Sequence, residues 1–339
     1  MIAPVAPRDL ATLVAAERVH AQAPLIVVDL DADDLDVAVP PMPYSVLIGV
    51  TRRPVDERTA RLRAALDCTL APSSAPEFDD RWAVGVPDVD AALGALAAAV
   101  SAAPDAAATL TGLLRITATV DVAAGLTAES LAYSMLLAGP EFARWLAGRR
   151  RRPVPPAAEP AVLIDRHGDR LIVTLNRPER RNAFGREVRD GLVEAFDLAA
   201  ADASLARIEL RGAGPGFCSG GDLDEFGLTP VVTAHAIRVE RSVAARIDAV
   251  RDRVHAHLHG ACIGAGIELP SFAGRVTAHP TTTFRLPELA MGLVPGAGGT
   301  VGITRRVGRW RCAYLALTGV ALDVPTALAW GLVDDVAGG

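Results

Sequence analysis

The sequence predicts an α/β protein made of two parts that differ in their patterns. In the C-terminal half, short apolar runs lead into glycine-rich loops and then into amphipathic segments. This is the order of strand, loop and helix in an α/β fold that binds its ligand at the carboxyl ends of strands. In the N-terminal half, two apolar runs are followed by alanine-rich stretches with leucine at helical spacing. We therefore expect an α/β core preceded by a mixed, largely helical extension.

The N-terminal elements are predicted from apolar runs and from helical spacing. The runs Pro24–Leu30 and Ser45–Val50 are short and rich in β-branched residues, which is typical of buried strands. Residues 56–66 are predicted to form a helix, and further helices are expected from Val89 onward, including residues 131–146. No catalytic cluster stands out in this half, so a scaffold or docking role is the plain interpretation.

A linker is predicted between the two parts. Residues 149–160 read RRRRPVPPAAEP, and a run of arginines followed by prolines cannot continue a helix. We place an N-terminal domain at residues 1–152, the linker at 153–160 and the core at 161–339. The arginines could bind an anion, but a solvated helix end, whose positive charge suits the helix dipole, is favoured.

The C-terminal elements are punctuated by glycine and proline. Two apolar runs that flank His167-Gly168-Asp169 predict a β-hairpin from residues 162–165 and 171–175. The remaining predictions, in chain order, are a polar loop at 176–182, a helix at 184–200, a strand at 206–211, a helix at 231–250 and a strand at 253–259.

The composition limits the class of protein. The chain has 339 residues, a net charge of −6 and 50% hydrophobic residues, which permits a sizeable core and excludes disorder as the main state. A mildly acidic balance argues against nucleic acid or an anionic membrane surface as a partner. All 34 basic residues are arginine, which excludes Schiff-base lysine chemistry and a P-loop lysine.

The cysteines and the N-terminus predict a soluble, cytoplasmic protein. Cys68, Cys218, Cys262 and Cys312 form no CxxC pair, which indicates reduced thiols rather than a disulfide framework or a zinc site. No uncharged stretch reaches the ~20 residues that a membrane-spanning helix needs. No targeting segment is visible at the N-terminus.

Two glycine-rich loops, each directly after a predicted strand, form the first candidate binding site. They read FCSGGDL at residues 217–223 and HGACIGAGIE at residues 259–268. Glycine lets the backbone approach a ligand, and N–H groups at a helix start can bind developing negative charge. Neither loop fits the GxGxxG fingerprint of a dinucleotide site.

Two glutamates near these loops are candidates for acid–base chemistry. Glu268 lies in GIELP and Glu288 lies in FRLPEL, so both carboxylates have apolar neighbours. Apolar surroundings raise the pKa of a carboxyl group, which suits proton transfer near neutral pH. The alternative is a carboxylate at a helix start, or an ion pair with Arg285.

Several short motifs occur in a fixed order along residues 162–336. They are LNRPE at 175–179 with RNA at 181–183, FCSGGDL at 217–223, HGACIGAGIE at 259–268, LPELAMGLVPGAGGT at 286–300, LTG at 317–319 and AWGLV at 329–333. With these motifs the sequence resembles the crotonase superfamily, the enoyl-CoA hydratase/isomerase family. The resemblance implies a crotonase-like ββα spiral core at about 160–339.

The resemblance also implies roles for individual residues. The backbone N–H groups of Gly221 and Ala265 would form an oxyanion hole for the thioester carbonyl of an acyl-CoA, although the family usually has glycine at the second position. Glu268 and Glu288 match the two catalytic glutamates. The stretch that would lie along CoA comprises Arg181, Ala183, Gly221, Asp222, Leu223 and Asp224. No metal and no redox cofactor are implied, and CoA enters as part of the substrate.

Two departures from the family pattern concern the ends of the core. The sequence stops at Gly339, soon after AWGLV, where the family continues into helices that cover the acyl site and help to form trimers. Residues 126–146 resemble those missing helices. We therefore expect the N-terminal half to supply the cover in a permuted order, from the same chain or a neighbour. The family's trimer, or dimer of trimers, is the expected homo-oligomer.

Two other chemistries stay open on the residues alone. His255, His257 and His259 alternate along a predicted strand and could chelate a metal, although a packed or cleft-lining face is favoured. Cys218 and Cys262 could be nucleophiles, but small packing residues are favoured.

The leading functional hypothesis is hydration of a 2-enoyl-CoA to a 3-hydroxyacyl-CoA in fatty acid metabolism. The enzymatic alternatives are an enoyl-CoA isomerase and a cofactor-free dioxygenase of the dihydroxyphenylacetyl-CoA type, which also carries a long N-terminal helical region. The non-enzymatic alternative is an acyl-CoA-binding subunit of a complex, which has no need for two carboxylates beside an acyl chain.

Overall fold

The N-terminal part contains a parallel sheet and a set of helices. The computed structural model describes residues 4–10, 24–33, 35, 39, 44–53, 57–73, 81–153 and 159–337. Among these residues, parallel strands pair in sequence order as β1 Leu25–Asp29, β2 Val46–Val50, β3 Cys68–Pro72 and β4 Val84–Val86. The helices of this part are α1 Ala60–Ala65, α2 Val89–Ala102, α3 Pro104–Thr117, α4 Val122–Leu137 and α5 Pro140–Ala147.

The C-terminal part is organised around a larger and a smaller sheet. Its strands are β5 Val162–His167, β6 Arg170–Leu175, β7 Arg207–Gly212, β8 Val254–Leu258, β9 Ala261–Ile263, β10 Arg275–Ala278, β11 Thr283–Arg285 and β12 Asp335–Val336. The larger sheet has the order β12-β10-β8-β7-β6-β5 and is parallel except for the hairpin β5–β6, while β9 and β11 form a separate parallel pair.

Helices connect and cover these strands. They are α6 Arg186–Ala201, α7 Val231–Glu240, α8 Val243–Ala249, α9 Ala265–Glu268, α10 Gly299–Val307, α11 Arg309–Thr318 and α12 Val324–Trp330. The alternation of short buried strands with helices reflects the apolar runs in the sequence, because strands of a parallel sheet are covered on both faces. The carboxyl ends of β7 and β8 lead into the two glycine-rich loops.

Most of the predicted elements are present, with some differences in the N-terminal part. The predicted strands at 24–30 and 45–50 are confirmed as β1 and β2. The strands β3 and β4 were not predicted, because they are short and lack a clear apolar alternation. The predicted helix at 56–66 is a 3-10 turn at Glu57–Thr59 followed by α1, and residue 56 lies outside the described residues.

Two predicted long helices are each divided in two, so these predictions were wrong in their continuity. The segment 231–250 breaks between α7 and α8, where Ser242 Oγ accepts a hydrogen bond of 3.2 Å from the Ala245 amide and caps the second helix. The segment 131–146 breaks between α4 and α5, where Pro140 occupies the first turn of the new helix.

The two parts share one hydrophobic core. A single cluster of buried side chains includes Ile48 and Leu110 from the N-terminal part and Leu171 and Val301 from the C-terminal part. A polar contact adds to it, since the Thr117 hydroxyl at the end of α3 donates to the carbonyl of Thr300 at 2.8 Å. The N-terminal helices are therefore packed on α10 and α11 and do not form a separate body.

The arginines after α5 contact the core. Arg149 Nη2 lies 3.4 Å from Asp224 Oδ1, and the Arg152 amide donates to the same oxygen at 3.2 Å. Arg151 Nη2 donates to the carbonyl of Phe226 at 2.8 Å. The predicted solvated helix end is confirmed for Arg150, Arg151 and Arg152, which are exposed, whereas the side chain of Arg149 is half-buried and pairs with Asp224. Residues 154–158 of the predicted linker lie outside the described residues.

Across the described part of the chain, no single helix combines the length and apolarity needed to cross a membrane. Two bent pairs of helices, α2 with α3 and α4 with α5, reach the required length and apolarity when the two helices of each pair are taken together.

Removal of residues 1–153 is expected to leave a core that aggregates or lacks activity, because it exposes the apolar faces of α10 and α11 to water. Solubility and activity of the shortened chain, compared with the full chain, check this expectation. Co-expression of the removed segment as a separate chain is the matched control and should restore a soluble complex. A well-folded, fully active core would show that the N-terminal half is dispensable.

Candidate active site

A cavity of about 470 Å³ lies between the N-terminal helices and the two glycine-rich loops. The backbone of Gly221 and Ala265 and the side chains of Glu268 and Glu288 all line it, so the structure brings the four predicted catalytic positions together. The N-terminal part contributes Tyr133 and Leu137 from α4 and Trp145 from α5. The hypothesis that this half replaces the missing cover stays a prediction, and these side chains are its structural basis.

The first glycine-rich loop turns the Gly221 amide away from the segment that contains Phe184. The Phe184 amide donates to the Gly220 carbonyl at 2.7 Å, and the Asp222 amide donates to the Phe184 carbonyl at 3.1 Å. In such a parallel bridge the pairing bonds use residues 220 and 222, so the N–H of Gly221 points to the opposite side.

The second loop places another backbone donor at the wall of the same cavity. Ala265 is the first residue of α9, and the first N–H groups of a helix have no partner within the helix. The preceding Gly264 has a φ of +49°, a conformation that favours glycine. Two amides of this kind, both at the cavity wall, can stabilise negative charge on a carbonyl oxygen. The alanine side chain at residue 265 is buried and leaves this donor in place.

Glu268 is a buried carboxylate held by backbone amides. Its side chain is only 2% exposed, and Oε2 accepts hydrogen bonds from the amides of Ala297 at 2.8 Å and Gly299 at 2.9 Å. Burial raises the pKa of Glu268 to about 7, while the two amide donors act in the opposite direction. The raised pKa brings the group closer to neutral pH, where acid–base catalysis is most effective.

Glu288 approaches Glu268 across the second loop. A methyl group on Gly264 would lie 2.5 Å from Glu288 Oε1 and 3.7 Å from Glu268 Oε1, so both carboxyl groups converge on this glycine. Oε2 of Glu288 is buried and has no hydrogen-bond partner among the described residues. Burial, and next the charge of Glu268, raise the pKa of Glu288 well above its ordinary value.

The alternative of an ion pair with Arg285 does not hold for Glu288. Arg285 Nε donates to the carbonyl of Gly319 at 2.5 Å. No ion pair between Arg285 and either glutamate occurs in the described part of the chain. Glu268 does lie in the short helix α9, but its carboxylate binds the amides that begin α10 rather than those of its own helix.

A third buried carboxylate, Glu129 of α4, was not predicted. It is 2% exposed and accepts hydrogen bonds from the amide of Gly298 at 2.7 Å, the amide of Thr300 at 2.9 Å and the Thr300 hydroxyl at 2.6 Å. Burial, and next the charge of Glu268, raise the pKa of Glu129. The signal in the sequence was a lone glutamate in an apolar helical stretch, with no local pattern that links it to a loop 171 residues away.

The residues predicted to lie along CoA are placed in two groups. Gly221, Asp222 and Leu223 line the cavity. Arg181, Ala183 and Asp224 do not lie among its lining residues. The Asp222 and Asp224 carboxylates are buried and bind Arg180, whose Nη2 lies 2.7 Å from Asp222 Oδ1 and 3.2 Å from Asp224 Oδ2. The side chains of Asp222 and Asp224 therefore hold the first glycine-rich loop in place by binding Arg180.

Asn182 is a further residue that shapes this region. Its side chain accepts from the Arg177 amide at 2.8 Å and donates to the carbonyls of Ala213 at 2.8 Å and Phe217 at 3.0 Å. It is fully buried and has a φ of +54°, which asparagine tolerates better than most residues. The polar loop that was predicted at 176–182 is thus tied to the first glycine-rich loop by one amide side chain.

The alternative chemistries gain no support from the geometry. The rings of His255 and His257 lie 4.0 Å apart, whereas His259 Nε2 lies 2.9 Å from the Gly214 carbonyl. Within the described residues, no group of three or more His, Cys, Asp or Glu is placed to hold a metal ion. Cys218 and Cys262 are buried, and burial raises the pKa of each thiol, that of Cys218 to about 12, which opposes formation of a nucleophilic thiolate.

A family model and several known proteins match this chain. The family model for enoyl-CoA hydratase/isomerase matches residues 169–338. A 2,3-dehydroadipyl-CoA hydratase of Escherichia coli is 33% identical over 176 residues, which is 52% of this chain and 68% of that protein. The chain belongs to the enoyl-CoA hydratase/isomerase family. It is an enzyme of the hydratase/isomerase type, and the family implies an acyl-CoA substrate.

Other members of the enoyl-CoA hydratase/isomerase family show a similar extent of likeness. The 1,2-epoxyphenylacetyl-CoA isomerase of Escherichia coli is 33% identical over 168 residues, covering 48% of this chain and 64% of that protein. The crystal structure of an enoyl-CoA hydratase from Thermoplasma volcanium has 32% sequence identity and a TM-score of 0.49, covering 53% of this chain and 73% of that one. The predicted family is confirmed, and the family model matches the C-terminal part of the chain, where the structure shows an α/β core.

Replacement of Glu129 by alanine is expected to lower the free energy of unfolding by about 2–4 kcal/mol, because it leaves buried donors of residues 298 and 300 without an acceptor. It should also reduce kcat/KM by about a hundredfold, since the same turn holds Glu268 and small misplacements are costly. Denaturant titration and steady-state kinetics measure the two effects.

Thr127→Ala is the matched control on α4, because Thr127 is exposed and its hydroxyl bonds only to the Ala123 carbonyl. Glu129→Gln, which retains one acceptor oxygen, should recover part of both losses. If Glu129→Ala loses stability but retains the kcat/KM of the parent protein, Glu129 has no positioning role toward Glu268.

Proposed function

We propose that this protein adds water to the double bond of a 2-enoyl-CoA and forms a 3-hydroxyacyl-CoA. The observation that carries the proposal is the convergence of Glu268 and Glu288 on Gly264, beside the two amides of residues 221 and 265. Water addition needs a base for the water, an acid for the α-carbon and a site for the negative charge on the thioester oxygen. These four groups can supply all three.

The two carboxyl groups are set for different protonation states. The pKa of Glu268 is raised to about 7, whereas that of Glu288 is raised well above its ordinary value by burial and by the charge of Glu268. Two neighbouring carboxyl groups in a buried site do not readily ionise together. Near neutral pH, an ionised Glu268 and a protonated Glu288 form the base and acid pair that hydration requires.

The reaction follows from these states. Glu268 takes a proton from water as the water oxygen bonds to the β-carbon of the thioester. The electrons of the double bond move toward the thioester carbonyl, whose oxygen is held by the amides of Gly221 and Ala265. Glu288 then donates its proton to the α-carbon, and the carbonyl re-forms. Loss of one such amide donor typically costs about 3 kcal/mol of transition-state stabilisation.

In this proposal, the substrate lies against the wall of the cavity. The pantetheine arm lies along Gly221, Asp222 and Leu223, next to the backbone of Arg181 and Ala183. CoA enters only as part of the substrate, and the two amides and two carboxyl groups supply all polarisation and proton transfer. The expected trimer or dimer of trimers stays a prediction, which light scattering of the purified protein would check.

Glu268→Gln and Glu288→Gln are each expected to lower kcat/KM for crotonyl-CoA and for a longer 2-enoyl-CoA by about a thousandfold. Loss of the absorbance of the conjugated thioester measures the reaction, and binding of a saturated acyl-CoA should remain close to that of the parent protein. Glu194→Gln, at an exposed position of α6, is the matched control. Unchanged absorbance with the parent protein, despite binding of acyl-CoA, would exclude hydration and direct attention to double-bond migration and oxygen uptake.

The pH profile of kcat/KM is expected to be bell-shaped. On the acid side, activity should fall as pH drops through about 7, because Glu268 becomes protonated and can no longer accept a proton from water. On the alkaline side, it should fall once Glu288 has lost its proton. Initial rates at subsaturating substrate across the pH range test both limbs. An activity that stays high well into the acid range would contradict the role of Glu268 as the base.

A further inference from the structure

Four arginines line the cavity, Arg149, Arg186, Arg189 and Arg238, and none of them has a role in the chemistry just described. Arg238 of α7 lines the cavity, and its guanidinium lies over the ring of Tyr133, 4.8 Å from the ring centroid. Its Nε donates to the Ser130 hydroxyl at 3.1 Å, and its Nη2 contacts the Ser134 hydroxyl and lies 3.4 Å from the Ser130 carbonyl. All of these partners belong to α4, and none of them carries a negative charge.

Arg238 lacks a carboxylate partner among the described residues. On the same stretch of chain, Arg241 pairs with Asp190 at 3.0 Å and Arg246 pairs with Asp197 at 2.7 Å. The carboxylate whose charge acts on Arg238 is Glu129, which is already held by the amides of residues 298 and 300. A half-buried guanidinium without a counter-ion can bind an anion through charge-assisted hydrogen bonds, so its place in a ligand cavity points to an anionic ligand.

The hydrogen bonds of Arg238 leave part of its guanidinium group available for a ligand. The bonds to α4 use Nε and Nη2, and Nη1 makes none with a described residue and is not a buried atom. A guanidinium can bind a carboxylate through charge-assisted hydrogen bonds that are stronger than bonds to neutral groups. The serine partners fix the plane of the guanidinium without neutralising it, which suits the recognition of an incoming anion.

The position of Arg238 relates it to the acyl chain. The ring of Tyr133 contacts both Arg238 and the turn that holds Glu268: the guanidinium lies over the ring, and a methyl group on Gly296 would lie 2.3 Å from Tyr133 Cδ2. Gly296 directly precedes Ala297, whose amide binds Glu268. Arg238 is thus one aromatic ring away from the turn that positions the base. The phosphates of CoA are separated from the thioester by the whole pantetheine arm, so they are less suited to this position than a group on the acyl chain.

We propose that Arg238 binds a carboxylate at the far end of the acyl chain, so that the preferred substrates are 2-enoyl-CoA thioesters with an ω-carboxyl group. The aromatic ring of Tyr133 flanks the chain, and the hydroxyls of Ser130 and Ser134 hold the guanidinium in place. This inference rests on the proposed function, because it assigns the acyl group to the cavity that contains Glu268 and Glu288.

The test compares neutral and ω-carboxylated 2-enoyl-CoA thioesters of matched length, over a series of increasing chain length. In the parent protein, kcat/KM is expected to favour the ω-carboxylated member at one chain length. Arg238→Met should reduce that preference by about ten- to a hundredfold, the range of a hydrogen bond to a charged group. Arg238→Lys, which retains the positive charge but lacks the planar guanidinium group, should give an intermediate preference for the ω-carboxylated thioester.

Arg241→Met is the matched control, because it removes an arginine from the end of the same helix that pairs with Asp190 outside the cavity. Its preference should equal that of the parent protein. Thermal unfolding of each variant shows whether the contact between α4 and α7 is retained. The preference of the parent protein is measured without any substitution, so the inference can be rejected even if Arg238→Met does not fold.

Binding of saturated neutral and ω-carboxylated acyl-CoA thioesters, measured by calorimetry, separates this inference from the proposed function. If no enoyl-CoA is hydrated, yet the ω-carboxylated thioester binds more tightly and loses that advantage in Arg238→Met, the carboxylate site stands and hydration is wrong. If hydration occurs with no preference in the parent protein, the carboxylate site is wrong. If Arg238→Met weakens both thioesters by the same factor, Arg238 serves the CoA phosphates or the fold, and the inference is overturned.

Discussion

The turn at residues 297–300 is the feature on which the rest of the active site depends. Its consecutive amides alternate between two carboxylates: those of Ala297 and Gly299 bind Glu268, and those of Gly298 and Thr300 bind Glu129. The turn leads into α10, where N–H groups without a partner in the helix and the helix dipole favour negative charge. One segment of backbone thus stabilises a carboxylate from the core and another from the N-terminal part. The base of the proposed reaction and the packing of the two parts have a common support.

The close approach at this turn explains its glycines. A methyl group on Gly299 would lie 2.7 Å from Glu268 Cγ, and Gly298 has a φ of +106°, which only glycine adopts without strain. The side chain of Glu268 can reach the Gly299 amide only because residue 299 carries no Cβ. The same reasoning applies to Gly264, where a methyl group would displace Glu288. The position of each carboxyl group is therefore determined by backbone sites that exclude side chains.

The sequence allowed the local features of this site to be predicted and left the distant ones unknown. Gly221, Ala265, Glu268 and Glu288 lie in short motifs next to strands, and the structure places them around one cavity. Glu129 and Arg238 could not be predicted, because their importance comes from contacts between α4, α7 and a turn far away in the chain. The break in the helix predicted at 231–250 depends on a single serine cap, and β3 and β4 depend on pairing with neighbours rather than on their own pattern.

The charges of the cavity wall form one coupled arrangement. Glu129 lies near Arg238, but its two oxygens are occupied by the donors of residues 298 and 300, so it cannot turn to neutralise the guanidinium. If Glu129 paired with Arg238, the turn would lose its second carboxylate and Arg238 would offer no net positive charge to a ligand. By binding Glu129, the turn instead keeps this carboxylate from pairing with the guanidinium. The same hydrogen bonds that hold the N-terminal helix on the core therefore leave Arg238 available for an anionic acyl group.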